Sequence, residues 1–191
     1  MEFIFDINKA VAAAAYLTKK SGGQISTFFL MKMMYSAERK ALATWHRPIT
    51  GDAFSSLKKG PILTRTYNLI KHEVLSTNSD MVKWAEHFFP REGYNLRLRT
   101  EPDYEHLSQQ EIEALDHAFA EINALAKKHG AIADVLHSIW PEWKNPEVFG
   151  CGSVPLTLRD VLSEVVEDDD QVEELIAEIS AVNSAKAALQ V

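Results

Sequence analysis

The chain has 191 residues, 46% hydrophobic, 25% charged and 9% aromatic, with a single Cys and a formal net charge of -7. That length suits one domain whose core needs no cross-links, and a lone Cys151 excludes both an internal disulfide framework and a CxxC zinc or redox site, so a reducing cytoplasm is the expected compartment. No apolar run approaches the roughly 18 residues of a membrane-spanning helix, and Glu2 and Asp6 are acidic where a signal peptide carries positive charge, so the Ala/Val-rich N-terminal stretch reads as mature structure.

Asp6 is a suitable N-cap for a first helix carrying Ile7, Val11, Ala14, Ala15 and Leu17 at helical spacing, which ends at Ser21-Gly22-Gly23. Ser26 is the expected cap of a second, in which Leu30, Met33, Met34, Ala37 and Ala41 follow the 3.6-residue period; Lys32, Glu38, Arg39 and Lys40 are expected mostly on the opposite side. Phe28, Phe29 and Met31 carry the apolar surface almost all round, which predicts a central position for this helix. Gly and Pro then punctuate Trp45 to Pro61 around a short strand, Ala53 to Leu57. Thr64 is the expected cap of a helix carrying Tyr67, Leu69, Ile70 and Val74, and Ser79 or Asp80 of another carrying Met81, Trp84, Ala85 and Phe88. Tyr94, Leu96, Leu98 and Thr100 alternate with Asn95, Arg97, Arg99 and Glu101, the pattern of a half-buried strand, and antiparallel pairing with residues 53–57 is expected. Ser108 and Glu111 form a capping box ahead of Ile112, Leu115, Phe119, Ile122 and Leu125, in a helix that ends near Lys127-Lys128-His129-Gly130. A short helix over 131–139 stops at Trp140-Pro141. Beyond Pro146, Gly150, Gly152 and Pro155, the stretches Leu156 to Val166 and Gln171 to Leu189 read as two more helices, the last with an apolar stripe of Val172, Leu175, Ile176, Ile179, Val182 and Leu189.

The expected fold class is mainly α: a compact helical domain over residues 1–145 with a small antiparallel β element, followed by acidic C-terminal helices over 146–191. Residues 146–191 carry ten acids against two bases, so the acidity belongs to that stretch. Such a balance lacks the clustered basic face that phosphate backbones require, and an acidic tail favours a basic partner. The sequence holds no GxGxxG, GxxxxGK[ST], GxSxG or HExxH motif, and none of its seven His residues has a recognised metal-ligand spacing. His46, Asp52 and Lys58 share one polar stretch and form the one acid/base grouping to weigh; turn chemistry is the simpler reading of all three. Cys151 lies between glycines with no base beside it.

Ile25-Ser-Thr-Phe-Phe-Leu-Met-Lys-Met-Met-Tyr35, followed by Arg47-Pro48-Ile49-Thr50-Gly51-Asp52, Phe54, Leu57-Lys58, Gly60-Pro61-Ile62 and Tyr67, resembles the Panacea antitoxin domain. Leu107 to Asp116 and the short helix before Pro141-Glu142-Trp143 resemble its later elements, so the likeness spans roughly residues 5–145. Phe29, Met31, His46, Ala53 and Ser56 depart from the pattern, His46 standing where Gly is common. The resemblance implies a mostly helical domain with a small β element and no enzymatic activity, and the sequence motifs give no reason to expect a cofactor or metal. It further implies that the chain binds a cognate toxin encoded in the same operon and neutralises it by direct contact, or, as an alternative, acts as an adaptor that delivers the toxin to a protease. Pro48, Ile49, Thr50, Gly51, Asp52, Lys58, Gly60, Pro61 and Tyr67 are then family-motif residues that serve mainly as scaffold. Trp45, Phe54, Trp140, Trp143 and Phe149 are the large residues to consider at a toxin interface, with Asp168, Asp169, Asp170, Glu173 and Glu174 offering charge to a basic toxin.

Overall fold

The structure, a computed structural model, describes residues 3–72 and 78–189. Glu2 and Val74 lie outside the described residues, and so does the side chain of Leu189. Helices dominate and the strands are few and short, so the fold is mainly α with a small antiparallel β element. The first helix, α1 (Ile7–Lys20), is capped as expected: the Asp6 carboxylate accepts the Asn8 and Lys9 backbone N–H groups at 2.9 and 3.2 Å, a device that stabilises a helix by about 1 kcal/mol. Ala10 and Ala12 to Ala15 are all buried, because α1 lies against α2 (Thr27–Trp45), α4 (Asn78–His87) and α5 (Gln109–His129) at once. Only small side chains let a helix approach three neighbours so closely.

Helix α2 is the axis of the molecule. It packs against α1, α5, α7 (Leu158–Val165) and β3 (Gly60–Leu63), and Leu30, Met31, Met33, Met34, Tyr35, Ala37, Ala41 and Leu42 are all buried. Enclosure on so many sides corrects the expected solvent face: Lys32 is 2% exposed and Glu38 1%, Arg39 is half-buried, and Lys40 alone of the four is open to solvent. Ser26 occupies the N-cap position without a side-chain capping bond, and the Thr27 N–H instead donates to the Tyr94 carbonyl at 2.7 Å.

That bond belongs to a two-stranded sheet of β1 (Gln24–Ser26) and β4 (Asn95–Arg97), with Ile25 opposite Leu96. The expected partner of residues 94–100 was the 53–57 run, and the expected inward row began at Tyr94. Instead β4 pairs with the segment just after α1, ladder geometry covers only 95–97, Leu96 is buried, and Tyr94 is 80% exposed. A three-residue strand is too short to display a period, so β1 left no pattern to read. The second sheet has the order β3-β2-β5, with β2 (Phe54–Leu57) between β3 and β5 (Ser153–Leu156). Prolines disguised both outer strands, and residues 153–156 precede α7 where a helix start at Leu156 was expected.

The prolines are intelligible from the ladder. Thr64 N–H donates to the Ala53 carbonyl at 2.8 Å, so Ser55–Ile62 and Leu57–Gly60 are the pairs that exchange bonds and the peptide of Pro61 turns away from β2. On its other side β2 therefore addresses Leu156 and Val154, and Pro155 also faces outward. Each edge strand thus presents a position with no N–H to the open side of the sheet.

Smaller shifts have local causes. Helix α3 (Thr64–Lys71) begins at Thr64, with Leu63 in the N-cap position, so Thr64 caps nothing; α4 begins at Asn78, which puts Ser79 and Asp80 in its first turn. The Ser108 capping box of α5 is complete, and its Glu111 also pairs with Lys9 at 2.5 Å. Helix α6 (Ala133–Ile139) is followed by a 3₁₀ turn at Pro146–Phe149, β5, α7 and α8 (Asp169–Leu189). Residues beyond 145 join the same core: Leu156, Val161, Leu162, Val166 and Val172 are buried in it.

Helix α2 is closed by His46 at its C-cap, whose φ of 60° is left-handed, a conformation that Gly adopts most readily. His46→Gly is expected to stabilise the fold by about 0.5–1 kcal/mol, as its strained backbone relaxes; urea denaturation of the two proteins checks this.

Candidate functional site

The loop from Arg47 to Asp52 connects α2 to β2, and its conformation is fixed from below. The buried Glu38 carboxylate accepts the Ile49 N–H at 2.6 Å, the Thr50 N–H at 2.8 Å and the Thr50 hydroxyl. Burial raises the Glu38 pKa from 4.5 to about 7, outweighing these three donors. Thr50 Oγ1 also accepts the Asp52 N–H at 3.2 Å, and the Thr50 carbonyl accepts the Asp6 N–H at 2.8 Å, which ties the loop to the entrance of α1. Where the two segments cross, Gly51 has φ 67° and a Cβ there would lie 2.3 Å from the Ile4 carbonyl oxygen, so no other residue fits without displacing backbone.

Asp52 performs the capping expected of Thr64. Its Oδ1 accepts the Arg65 N–H at 2.8 Å, and its Oδ2 accepts the Thr66 N–H and hydroxyl at 2.8 and 2.7 Å, closing the start of α3 from 13 residues away. Burial raises its pKa against these donors. The acid/base grouping weighed above is not assembled: Asp52 is committed to α3, the His46 ring nitrogen contacts the Leu42 carbonyl at 3.1 Å, and exposed Lys58 pairs with Glu147 at 2.7 Å.

Gly60-Pro61 answers to Lys32. The buried Lys32 ammonium donates to the outward-facing Pro61 carbonyl at 2.6 Å, and a Cβ on Gly60, whose φ is 100°, would lie 3.1 Å from Lys32 Nζ. Burial lowers the Lys32 pKa from 10.5 to about 7, and among the described residues no carboxylate pairs with it. A third buried polar group joins α2 to the segment after α6: Glu142 accepts the Tyr35 hydroxyl at 2.8 Å and Arg39 Nε–H at 2.9 Å. Lys32, Glu38 and Glu142 were not singled out from the sequence. For the two on α2 a signal exists, since a helix apolar all round has no solvent face for charges to occupy.

The outer side of the Arg47–Asp52 loop walls a cleft of about 390 Å³ between Phe3 and Ile4, Trp45, and the α8 residues Leu175, Ile179 and Val182. Arg47 reaches Glu178 across it at 3.2 Å. Ile4 and Val182 are 55% and 42% exposed, so apolar surface remains open at its rim.

Of the large residues considered for an interface, Trp45 lines this cleft, half-buried. Phe54 and Trp140 are core residues, packed edge-on against Tyr35 with centroids 5.6 and 5.1 Å away, and present no surface to a partner. Trp143 is half-buried, stacked on His137 with its indole N–H on the Leu57 carbonyl at 2.9 Å. Phe149 is 62% exposed on the 3₁₀ turn. Tyr67 and Pro48 are half-buried, while Ile49, Thr50 and Gly51 are buried. Asp168, Asp169, Asp170 and Glu174 are exposed at the start of α8, and Glu173 forms a two-pronged pair with Arg159.

The family model described as "Antitoxin SocA-like, Panacea domain" matches residues 30–144. No curated protein and no solved structure is matched by the chain.

Two outcomes follow from the buried groups. Gly51→Ala is expected to cost about 2–4 kcal/mol, from positive φ and the clash with Ile4, measured by chemical denaturation. Because the folded chain holds fewer protons on Lys32 than the unfolded one between pH about 7 and 10.5, wild-type stability should rise with pH across that window. Lys32→Met should remove this part of the slope, read from denaturation midpoints at several pH values.

Proposed function

Because the chain belongs to the SocA-like antitoxin family through its Panacea domain, we propose that it is an antitoxin that neutralises a cognate protein toxin by direct binding. The match over residues 30–144 is the observation that carries this reading. The arrangement of the motif agrees with it, since Glu38, Asp52 and Gly51 are spent on holding a loop in shape and not on a reactive centre. In this reading the toxin seats against the cleft beside Trp45. Trp45 supplies a large anchor next to open apolar rim, and the exposed acids of α8 supply attraction for a basic toxin surface.

Co-expression with the protein encoded beside it, following growth and co-purification, tests the reading. Rescue with a stable complex is expected; rescue with no complex and disappearing toxin would identify a proteolytic adaptor, and a harmless neighbour would remove the antitoxin reading. Within a complex, Trp45→Ala is expected to weaken affinity about 10- to 100-fold. Replacing Asp168, Asp169, Asp170 and Glu174 by their amides, which spares the packing of α8, should weaken it less and flatten its salt dependence, as measured by titration calorimetry at two salt concentrations.

A further inference from the structure

A second charged surface lies where the end of α4 returns to β4. The Phe89 N–H donates to the Arg97 carbonyl at 3.1 Å and the Arg99 N–H to the His87 carbonyl at 2.8 Å, so residues 87–89 run antiparallel to 97–99. Two-residue alternation puts Arg97 and Arg99 on one face, and their guanidinium carbons stand 4.3 and 4.7 Å from the Phe89 ring centroid. Stacking on an aromatic ring holds a guanidinium in place and lowers the entropy lost when it binds a carboxylate.

These cations are left unneutralised. Lys9, Lys19, Lys20, Arg39 and Lys144 each have an acid within 3 Å. Among the described residues exposed Arg97 reaches only Glu92, at 3.9 Å and itself 84% exposed, and exposed Arg99 forms no ion pair. Tyr94, 80% exposed, stands on the same turn. Arg and Tyr are residue types that carry interface energy. In turn, Asp168, just before α8, and Asp169, Asp170 and Glu174 within it are exposed and form no ion pair among the described residues. Among the described residues no ion pair joins α8 to residues 87–99.

We propose that the Arg97–Arg99 face docks the acidic first turns of α8 from a second copy of this chain. In a two-fold dimer each copy gives its arginines to the other's acids, so the contact occurs twice. A nucleic acid is the poorer occupant, because a chain of net charge -7 repels phosphate backbones around any local patch. Single exposed ion pairs contribute little, so association rests on several at once and is weak and salt-sensitive. The inference goes beyond toxin neutralisation, and its test uses the isolated chain, so its outcome is independent of that reading.

The experiment is sedimentation velocity of the full chain at high protein concentration in low and high salt. A dimer at low salt that dissociates at high salt is expected. The exposed-residue variants Arg97→Glu/Arg99→Glu and Asp168→Lys/Asp169→Lys/Asp170→Lys should each be monomeric and give wild-type circular dichroism. Mixing them should restore the dimer, since each reversed face then meets its reversed counterpart. The milder Asp→Asn set at 168, 169 and 170 should also weaken association, which separates loss of charge from any effect of lysines on the helix end. A wild-type monomer at low salt, a dimer that survives either reversal, or a mixture that stays monomeric would overturn the proposal. So would a fluorescent single-stranded oligonucleotide that binds the wild type and not Arg97→Glu/Arg99→Glu, which would mark the face as a nucleic-acid surface.

Discussion

The Glu38 carboxylate, sealed inside the protein, holds the Arg47–Asp52 loop through two backbone N–H groups and one hydroxyl. From that loop the rest is set: Asp6 and the entrance of α1 hang from Thr50, Gly51 passes against Ile4, and Asp52 opens α3. Three separated segments are thereby fixed to one helix by the needs of a single buried acid. A buried acid that lost its donors would be costly, so the loop cannot rearrange without penalty. Its outer wall, which carries Trp45 and Arg47, is consequently presented in one geometry.

Lys32 and Glu38 lie on the same helix and respond to pH in opposite ways. Between pH 4.5 and about 7 the folded chain keeps a proton on Glu38 that the unfolded chain releases, so the Glu38 contribution declines as pH rises. Above about 7 the Lys32 contribution improves instead. The summed contribution of these two groups is therefore lowest near pH 7. The carbonyl of Pro61 and the amides of Ile49 and Thr50 give the two buried groups hydrogen-bond partners in place of water.

Local devices were legible in the sequence wherever the signal and its partner lie within a few residues. Asp6 and the Ser108–Glu111 box cap the helices they precede, and the central place of α2 follows from Phe28 to Met34 being apolar all round. What the sequence hid were pairings between distant segments. Asp52 caps a helix 13 residues on, so the adjacent Thr64 looked like the natural choice. Strands β1 and β5 are too short or too proline-broken to show alternation, so the observed partners of β4 and β2 had no trace in the pattern. Among the candidate interface residues, hydrophobic size alone could not separate Trp45, which faces the cleft, from Phe54 and Trp140, which fill the core around Tyr35.

The family match stops at residue 144, yet β2 is completed by β5 at 153–156. During synthesis, β2 and β3 can form their hairpin as soon as both have emerged, but β2 then shows its free side without a proline until the chain is some 90 residues longer. For that interval the protein carries an open, unblunted strand, the kind of surface that recruits like strands from neighbouring chains. Arrival of β5 does two things in one step: it occupies that side and replaces it with an edge bearing Pro155. A chain shortened to the matched domain alone would lack β5 and leave that side of β2 unpaired, so the C-terminal region is also what closes this edge of the sheet.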